Sequence, residues 1–234
     1  MGAELKLTGY FAGALFSGQE LFGNRALAAA VNDVSQGVLQ LDLPQDLSTQ
    51  ETGDGQRIRA ADYLGMIRRD FVFANMNGPE LDSGTIAEYM VASMLGMPRV
   101  QYRSDFRNVG DVPSSFPGRV AVGKTSSVPY NLMLGYDESA LVFADSMALY
   151  KATADVDQFV KQLAIAAVQG IVVAFHETQT ARPEEYASQE RALVRDLKLD
   201  PATVVEILRA KAMRHSSHEY RQAIEKLNTL RTLP

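Results

Sequence analysis

Short apolar runs alternate with helical patterns over the first 150 residues, and this alternation limits the chain to few architectures. Residues 5–11 and 71–74 have the composition of buried strands, and a helical pattern follows each of them. Strands that alternate with helices predict a parallel sheet with helices on both faces. We therefore predict an α/β fold, a flavodoxin-like or Rossmann-like doubly wound sheet of about five strands. Such sheets bind ligands at the carboxyl ends of their strands.

The pattern changes after about residue 150. Residues 156–175 form a long apolar helical stretch, for which Gly170 is a candidate interruption. Further amphipathic helices are expected at residues 183–198, 201–214 and 217–231. We predict an α/β domain over residues 1–150. An α-helical extension over residues 151–234 is expected to pack on the core or at subunit contacts.

Composition excludes several classes of function. The 234 residues include no cysteine, which removes disulfides, thiolate nucleophiles and cysteine-based metal sites. The net charge is -5 without a basic block, so nucleic acid is not an expected partner. No signal pattern stands at the start, and no apolar run is expected to cross a bilayer. We expect a cytoplasmic protein.

Four acidic residues surround the strand predicted at residues 71–74. Asp62 lies on the helix before it, Asp70 at its start, Asp82 in the loop after it, and Glu88 in the first turn of the next helix. Because a helix dipole stabilises an anion at its amino end, we expect Glu88 to be ionised. Near the carboxyl end of a parallel strand, such a carboxylate can act as a nucleophile. From position alone, an ordinary acid at a helix start is the commoner explanation.

Two other patterns have little chemical support. Residues 118–125 match the phosphate-binding loop, but Pro129 disfavours the helix that must follow, so a loop or hairpin strand is preferred. His215 and His218 have a metal-ligand spacing on a helix, but no third ligand stands nearby. We expect two solvated histidines and no metal.

Several segments, in their order along the chain, resemble the nucleoside 2-deoxyribosyltransferase family. The sequence DSGTIAE at residues 82–88 matches the family's Asp-x-Gly-x-x-x-Glu, and Asp62 stands at the family's spacing before it. The other similar segments are YFAGALFS at residues 10–17, LPQD at 43–46, SDFR at 104–107 and YNLM at 130–133. The resemblance covers roughly residues 5–150 and does not extend to the tail.

The resemblance implies a double displacement without metal or organic cofactor. Glu88 would attack the anomeric carbon of a 2'-deoxyribonucleoside, and a second purine or pyrimidine base would then take the sugar with retained configuration. Asp62 and Asp82 match acids that bind the base and handle its proton. Tyr10 matches a tyrosine that helps orient the nucleophile. The implied role is nucleotide salvage.

The resemblance also implies the contacts that hold the substrate. Gly13 and Gln45 belong to its substrate-binding segments, and Phe16 would stack on or beside the base. Asn131 matches a residue that reaches the sugar hydroxyls in a neighbouring subunit's site, and Met133 lies beside it. A homo-oligomer with shared sites is therefore expected, built from dimers and extending up to a hexamer.

Two other functions stay open from the sequence. An N-glycoside hydrolase of nucleoside 5'-monophosphates would use the same fold and glutamate, with Ser126 and Ser127 near its phosphate, although Asn131 and Met133 favour transfer. A catalytically silent nucleoside-binding or scaffold protein is the alternative from another class, with the helical tail as its interaction module. Base preference also stays open, because residues 77–79 (NGP) stand where several family members carry acids.

Overall fold

One six-stranded sheet organises the protein. In the computed structural model the described residues are 6–47, 54–78, 81–104, 120–124, 140–177 and 186–233. The strands are β1 (Leu7–Gly13), β2 (Leu39–Asp42), β3 (Phe71–Asn75), β4 (Arg99–Arg103), β5 (Val120–Lys124) and β6 (Ala140–Ala144). Their order is β2-β1-β3-β4-β6-β5, in which β5 alone is antiparallel to its neighbour. Five parallel strands in this order confirm the flavodoxin-like α/β prediction.

Helices cover both faces of the sheet. Those in the described part of the chain are α1 (Gly18–Val34), α2 (Pro44–Leu47), α3 (Gly55–Ile67), α4 (Ser83–Met94), α5 (Ser146–Ala152), α6 (Val156–Glu177), α7 (Tyr186–Leu197), α8 (Pro201–Ser216) and α9 (His218–Thr229). A 3-10 turn, Leu230–Thr232, follows α9. Sequence signals explain several helix starts: Ser17 and Glu20 form a capping box on α1, and Asp200 caps α8 ahead of Pro201.

The two faces of the sheet bury separate apolar clusters, because alternate side chains of a strand point in opposite directions. On one face Leu7 and Phe11 of β1 pack with apolar residues of α1, α6 and α9. On the other face Tyr10 and Ala12 pack with residues of α3, α4, α7 and α8. Each cluster therefore contains residues from both sides of residue 150, where the domain boundary stays a prediction.

Helix α6 belongs to the first of these clusters. It is long and apolar enough to cross a membrane by length and composition, but half of its most apolar window is buried inside the protein. Gly170 lies within the continuous helix, so the predicted interruption is wrong. A Cβ at Gly170 would overlap the Val142 side chain of β6, which shows how closely helix and sheet approach. The burial is that of a core helix.

Two sequence interpretations are settled by these elements. Residues 120–124 form strand β5, which agrees with the preferred hairpin strand and excludes a phosphate-binding loop there. His215 is not solvated: its ring stacks on Tyr220 with centroids 4.4 Å apart, and Nε2 lies 3.6 Å from Asp70 Oδ1. The prediction for His215 is wrong because α9 folds back over α8, which helical periodicity does not reveal. His218 is exposed, as expected.

Candidate active site

The carboxyl ends of β1 and β3 lie side by side at the point where the chain changes faces of the sheet. Gly13 at the end of β1 pairs with Asn75 at the end of β3. The helix after β1 packs on one face, and the helix after β3 packs on the other. A crevice opens at such a switch point, where doubly wound sheets bind their ligands.

A tyrosine and a glutamate meet below this edge. The Tyr10 hydroxyl of β1 donates a hydrogen bond of 2.7 Å to Glu88 Oε1 of α4. Tyr10 is fully buried, and its pKa lies far above the ordinary value because of burial and the neighbouring Glu88 charge. The hydroxyl therefore keeps its proton and remains a donor to the carboxylate.

Burial controls the charge state of Glu88. It raises the pKa of the Glu88 carboxyl to about 7, with smaller contributions in the same direction from Asp62 and Asp82, while the Tyr10 hydrogen bond opposes the shift. Glu88 also lies five residues after Ser83, the first residue of α4, and so in the second turn. The expected first-turn placement is therefore wrong. Because the effect of the helix dipole fades beyond the first turn, the dipole does not keep the Glu88 carboxylate fully ionised at neutral pH.

Asp62 and Asp82 approach Glu88 from different elements. Asp62 lies on α3, where partial burial raises the pKa of its carboxyl. Asp82 is the N-cap of α4: its Oδ2 accepts hydrogen bonds from Thr85 N at 2.7 Å and Thr85 Oγ1 at 2.8 Å. This capping function was missed by the sequence analysis, although Asp followed three residues later by Thr is a signal for it. Asp82 thus sets the start of the helix that carries Glu88.

Three of the expected substrate-binding residues, Gly13, Phe16 and Gln45, lie at or after the carboxyl ends of β1 and β2. A Cβ at Gly13 would lie 3.1 Å from the Phe11 ring and 3.2 Å from Asn75 Cβ, so a larger side chain would require one of these neighbours to shift. Phe16 is 82% exposed, just before α1. The buried Oε1 of Gln45 has no hydrogen-bond partner within the described residues. Gln45 borders a cleft of about 610 Å³ between α1 and α2. Asn131 and Met133 lie outside the described residues.

Polar side chains that the sequence analysis did not select connect the loops at this edge. Asn75 Nδ2 donates to Asn24 Oδ1 at 3.0 Å, and Asn24 Nδ2 donates to the Ala14 carbonyl at 2.9 Å. Asn77 exchanges hydrogen bonds with Ser104, which follows β4. The signal for Asn75, Asn77 and Ser104 was a polar residue at or just after the end of an apolar strand, whereas Asn24 lies within α1 and has no such signal. No cluster of three metal-ligating side chains occurs in the part of the chain that the structure describes.

Comparisons with known proteins identify a family and one similar solved structure. The sequence profile described as nucleoside 2-deoxyribosyltransferase matches residues 10–134, more than half of the chain. The matched segment includes Tyr10, Asp62, Asp82 and Glu88. A solved structure, described as a conserved protein from Enterococcus faecalis V583, is 26% identical, with a TM-score of 0.41 over 47% of this chain and 70% of that chain. Among curated proteins no sequence matches.

Proposed function

Because this chain belongs to the nucleoside 2-deoxyribosyltransferase family, we propose that it exchanges the bases of 2'-deoxyribonucleosides through a covalent intermediate on Glu88. The observation that carries the proposal is the hydrogen bond from the buried Tyr10 to the half-buried Glu88 at the switch point of the sheet. It holds one carboxylate oxygen, Oε1, and leaves Oε2 for the sugar. Partial burial, with Tyr10 as the one donor to Glu88 among the described residues, suits a carboxylate that must attack carbon, because a fully hydrogen-bonded carboxylate is a poor nucleophile.

The first half of the proposed reaction forms one bond and breaks one. The Glu88 carboxylate bonds to C1' of the sugar while the bond from C1' to the base nitrogen breaks. The departing base takes a proton from an acid, for which Asp62 is the proposed donor. Burial raises the pKa of the Asp62 carboxyl, which favours this role, because a carboxyl with a higher pKa holds its proton over a wider pH range.

The second half reverses these steps with another base. A nitrogen of the incoming base bonds to C1', the ester bond to Glu88 breaks, and Asp62 recovers a proton from the base. Two displacements at one carbon retain its configuration. Asp82 is proposed to contact the base with Oδ1, while Oδ2 remains on Thr85 as the helix cap.

The remaining assignments belong to the same proposal. We infer that Phe16 covers the base, and that Gly13 lets the end of β1 approach the substrate closely because it carries no side chain. The unpartnered Oε1 of Gln45 is available to accept a hydrogen bond from a base amino group. Asn131 and Met133 are proposed to complete a neighbouring subunit's site in a cytoplasmic homo-oligomer that serves nucleotide salvage.

A product assay tests the reaction type. The protein is incubated with 2'-deoxyinosine and adenine, and the products are separated by chromatography. We expect 2'-deoxyadenosine and hypoxanthine. If free deoxyribose is the only sugar product, the proposal of transfer is overturned in favour of hydrolysis, for which 2'-deoxyinosine 5'-monophosphate is the next substrate to compare.

Replacement of the nucleophile tests the role of Glu88. Glu88→Gln keeps the shape and an acceptor for Tyr10, and we expect kcat to fall by a factor of about 1,000 or more. Glu206→Gln, an exposed glutamate on α8, is the matched control and should retain activity. Transfer that survives Glu88→Gln would remove Glu88 from the mechanism. Nucleoside binding by the parent protein without any turnover would favour a silent binding protein.

A further inference from the structure

The two helices that carry the acids of the proposed site both end against the C-terminal tail. Asp62 lies on α3, which ends at Ile67, and Glu88 lies on α4, whose C-cap is Leu95. The last carbonyls of a helix have no partner within the helix, so another group must satisfy them. In this protein, two side chains of the tail donate to carbonyls at these two helix ends.

Lys211 of α8 reaches the end of α3. It is buried, and its Nζ donates to the Ile67 carbonyl at 3.2 Å and to the Arg69 carbonyl at 2.7 Å. A cation at the carboxyl end of a helix is stabilised by the helix dipole. Burial lowers the pKa of the Lys211 ammonium to about 8, because desolvation disfavours its charged form. The two hydrogen bonds to carbonyl groups offset part of this desolvation.

Gln189 of α7 reaches the end of α4 in the same way. It is buried, and its Nε2 donates to the Leu95 carbonyl at 3.0 Å. Apolar tail residues pack between these two contacts, in the same cluster as Tyr10 and Tyr89: they are Leu193, Leu199, Val204, Ile207 and Leu208. The tail thus contacts α3 and α4 at their ends and along the face that lies opposite the sheet.

We propose that Lys211 and Gln189 are positioning residues that set the separation of Asp62 and Glu88 by holding the carboxyl ends of α3 and α4. The effect of these contacts on catalysis rests on the proposed function, whereas their effect on the positions of α3 and α4 does not. A helix transmits a displacement of its end along its length, because its backbone hydrogen bonds resist bending. Asp62 is five residues from Ile67, and Glu88 is seven residues from Leu95. A small shift at either contact therefore reaches a reacting group.

Variants that remove these hydrogen bonds and keep the packing test the proposal. Lys211→Met and Gln189→Leu replace each donor by an apolar side chain of similar length. We expect kcat to fall about tenfold in each single variant and further in the double variant, with a smaller change in KM. Since separation of Asp62 and entry of water both lower the pKa of Glu88, the acid limb of the kcat profile should move to lower pH.

Matched controls separate positioning from general loss of stability. Arg209→Met removes a charge from an exposed position on α8, and Gln169→Leu removes a similar amide contact, from α6 to the Leu233 carbonyl. Both should leave kcat and the acid limb unchanged. Lys211→Arg, which retains a cationic donor, should recover part of kcat. Unchanged kcat and acid limb in Lys211→Met and Gln189→Leu would overturn the proposal, and Gln189→Leu alone decides if Lys211→Met does not fold.

A measurement without turnover distinguishes this inference from the proposed function. NMR titration of the ¹³C-labelled Glu88 carboxyl, assigned with Glu88→Gln, reports its pKa directly in each variant. If the parent protein transfers no base but the titration shifts in Lys211→Met and Gln189→Leu, the proposed function fails and the positioning role stands. If transfer occurs but neither variant moves the titration or kcat, the positioning role fails.

Discussion

Two acids that lose solvation, the buried Asp70 and the half-buried Glu88, are held in opposite ways at the two ends of the sheet. Asp70, at the start of β3, accepts hydrogen bonds from Thr8 N at 2.8 Å and from Arg214 Nε and a terminal Arg214 nitrogen, each at 2.9 Å. Among the described residues, Glu88, near the carboxyl ends of β1 and β3, receives one hydrogen bond, from Tyr10. Both acids lose solvation, but in this part of the chain Asp70 is compensated by several donors and a cation, and Glu88 by the Tyr10 hydroxyl alone.

The pKa values follow from this difference. Burial would raise the pKa of Asp70, but the neighbouring His215 and Arg214 hold it well below its usual range. Burial raises the pKa of Glu88 to about 7, and the nearby Asp62 and Asp82 add to the shift. A buried carboxylate with many hydrogen-bond donors has a low pKa and stabilises the fold, whereas one with few donors has a raised pKa, as is common in active sites. The comparison indicates that Asp70 stabilises the fold at the amino end of the sheet, whereas Glu88 at the carboxyl end has the perturbed pKa expected of the proposed nucleophile.

The largest expected effect is on stability at Asp70. Asp70→Asn removes the charge that faces Arg214 and should lower the free energy of unfolding by about 2–3 kcal/mol at pH 7, a value reduced because Arg214 is partly exposed. The loss is measured by urea denaturation. Since the pKa of folded Asp70 is lowered, its contribution is present above pH 4 and should disappear as the pH falls further.

An exposed aspartate provides the control for Asp70. Asp196 pairs with Arg195 in full solvent contact, and Asp196→Asn should not change the unfolding midpoint measurably. If both variants had equal effects, the distinction between a stabilising amino end and a reactive carboxyl end would lose its basis.

The next effect concerns the donor to Glu88. Tyr10→Phe removes the hydrogen bond that opposes the pKa rise, so kcat should fall about 10- to 100-fold and its acid limb should move above pH 7. A pH profile of transfer between pH 5 and 9 measures both changes. An acid limb that stays in place would show that Tyr10 does not control the charge of Glu88.

A smaller effect should appear in the stability of Glu88→Gln. The folded pKa of Glu88 is raised to about 7 from 4.5, so its stabilising contribution is complete below pH 4.5 and is lost as the pH rises through 7. Glu88→Gln should therefore be more stable than the parent by about 2 kcal/mol at pH 8, with no difference near pH 4. Denaturation at both pH values checks the sign, which is opposite to that of Asp70→Asn.

The smallest effect is expected at Asp62. Asp62→Asn removes a negative charge beside Glu88, so the acid limb of kcat should shift to lower pH by less than one unit, opposite to the shift in Tyr10→Phe. Transfer should also slow, most strongly for bases that leave poorly without a proton. Equal rates with all bases would argue against Asp62 as the proton donor.

The sequence predicted the location of the site better than its electrostatics. Residues that follow apolar strands, together with the spacing of Asp62, Asp82 and Glu88, led to one edge of a parallel sheet. The charge of Glu88 was misjudged, because a helix position indicates the local dipole and says nothing of burial by Tyr10 and neighbouring elements. The prediction that His215 is solvated was wrong for a similar reason, because the Tyr220 ring that covers it lies on another helix.

The tail shows the same limit at a larger scale. Amphipathic periodicity predicted the helices after residue 150, but periodicity identifies an apolar face without identifying what covers it. The contacts of Lys211 with Ile67 and of Gln189 with Leu95 join positions 144 and 94 residues apart along the chain. No local pattern marks such pairs.

The amino-acid sequence by itself determined the alternation of strands and helices, the helix caps and the order of the family's segments, because these depend on neighbouring residues. The tertiary structure alone decided which acid is compensated and which is not. Asp70 and Glu88 are both acids beside the same strand in the sequence. Donors brought from distant parts of the chain, Arg214 for one and Tyr10 for the other, give them opposite pKa shifts, because solvation and charge act through space.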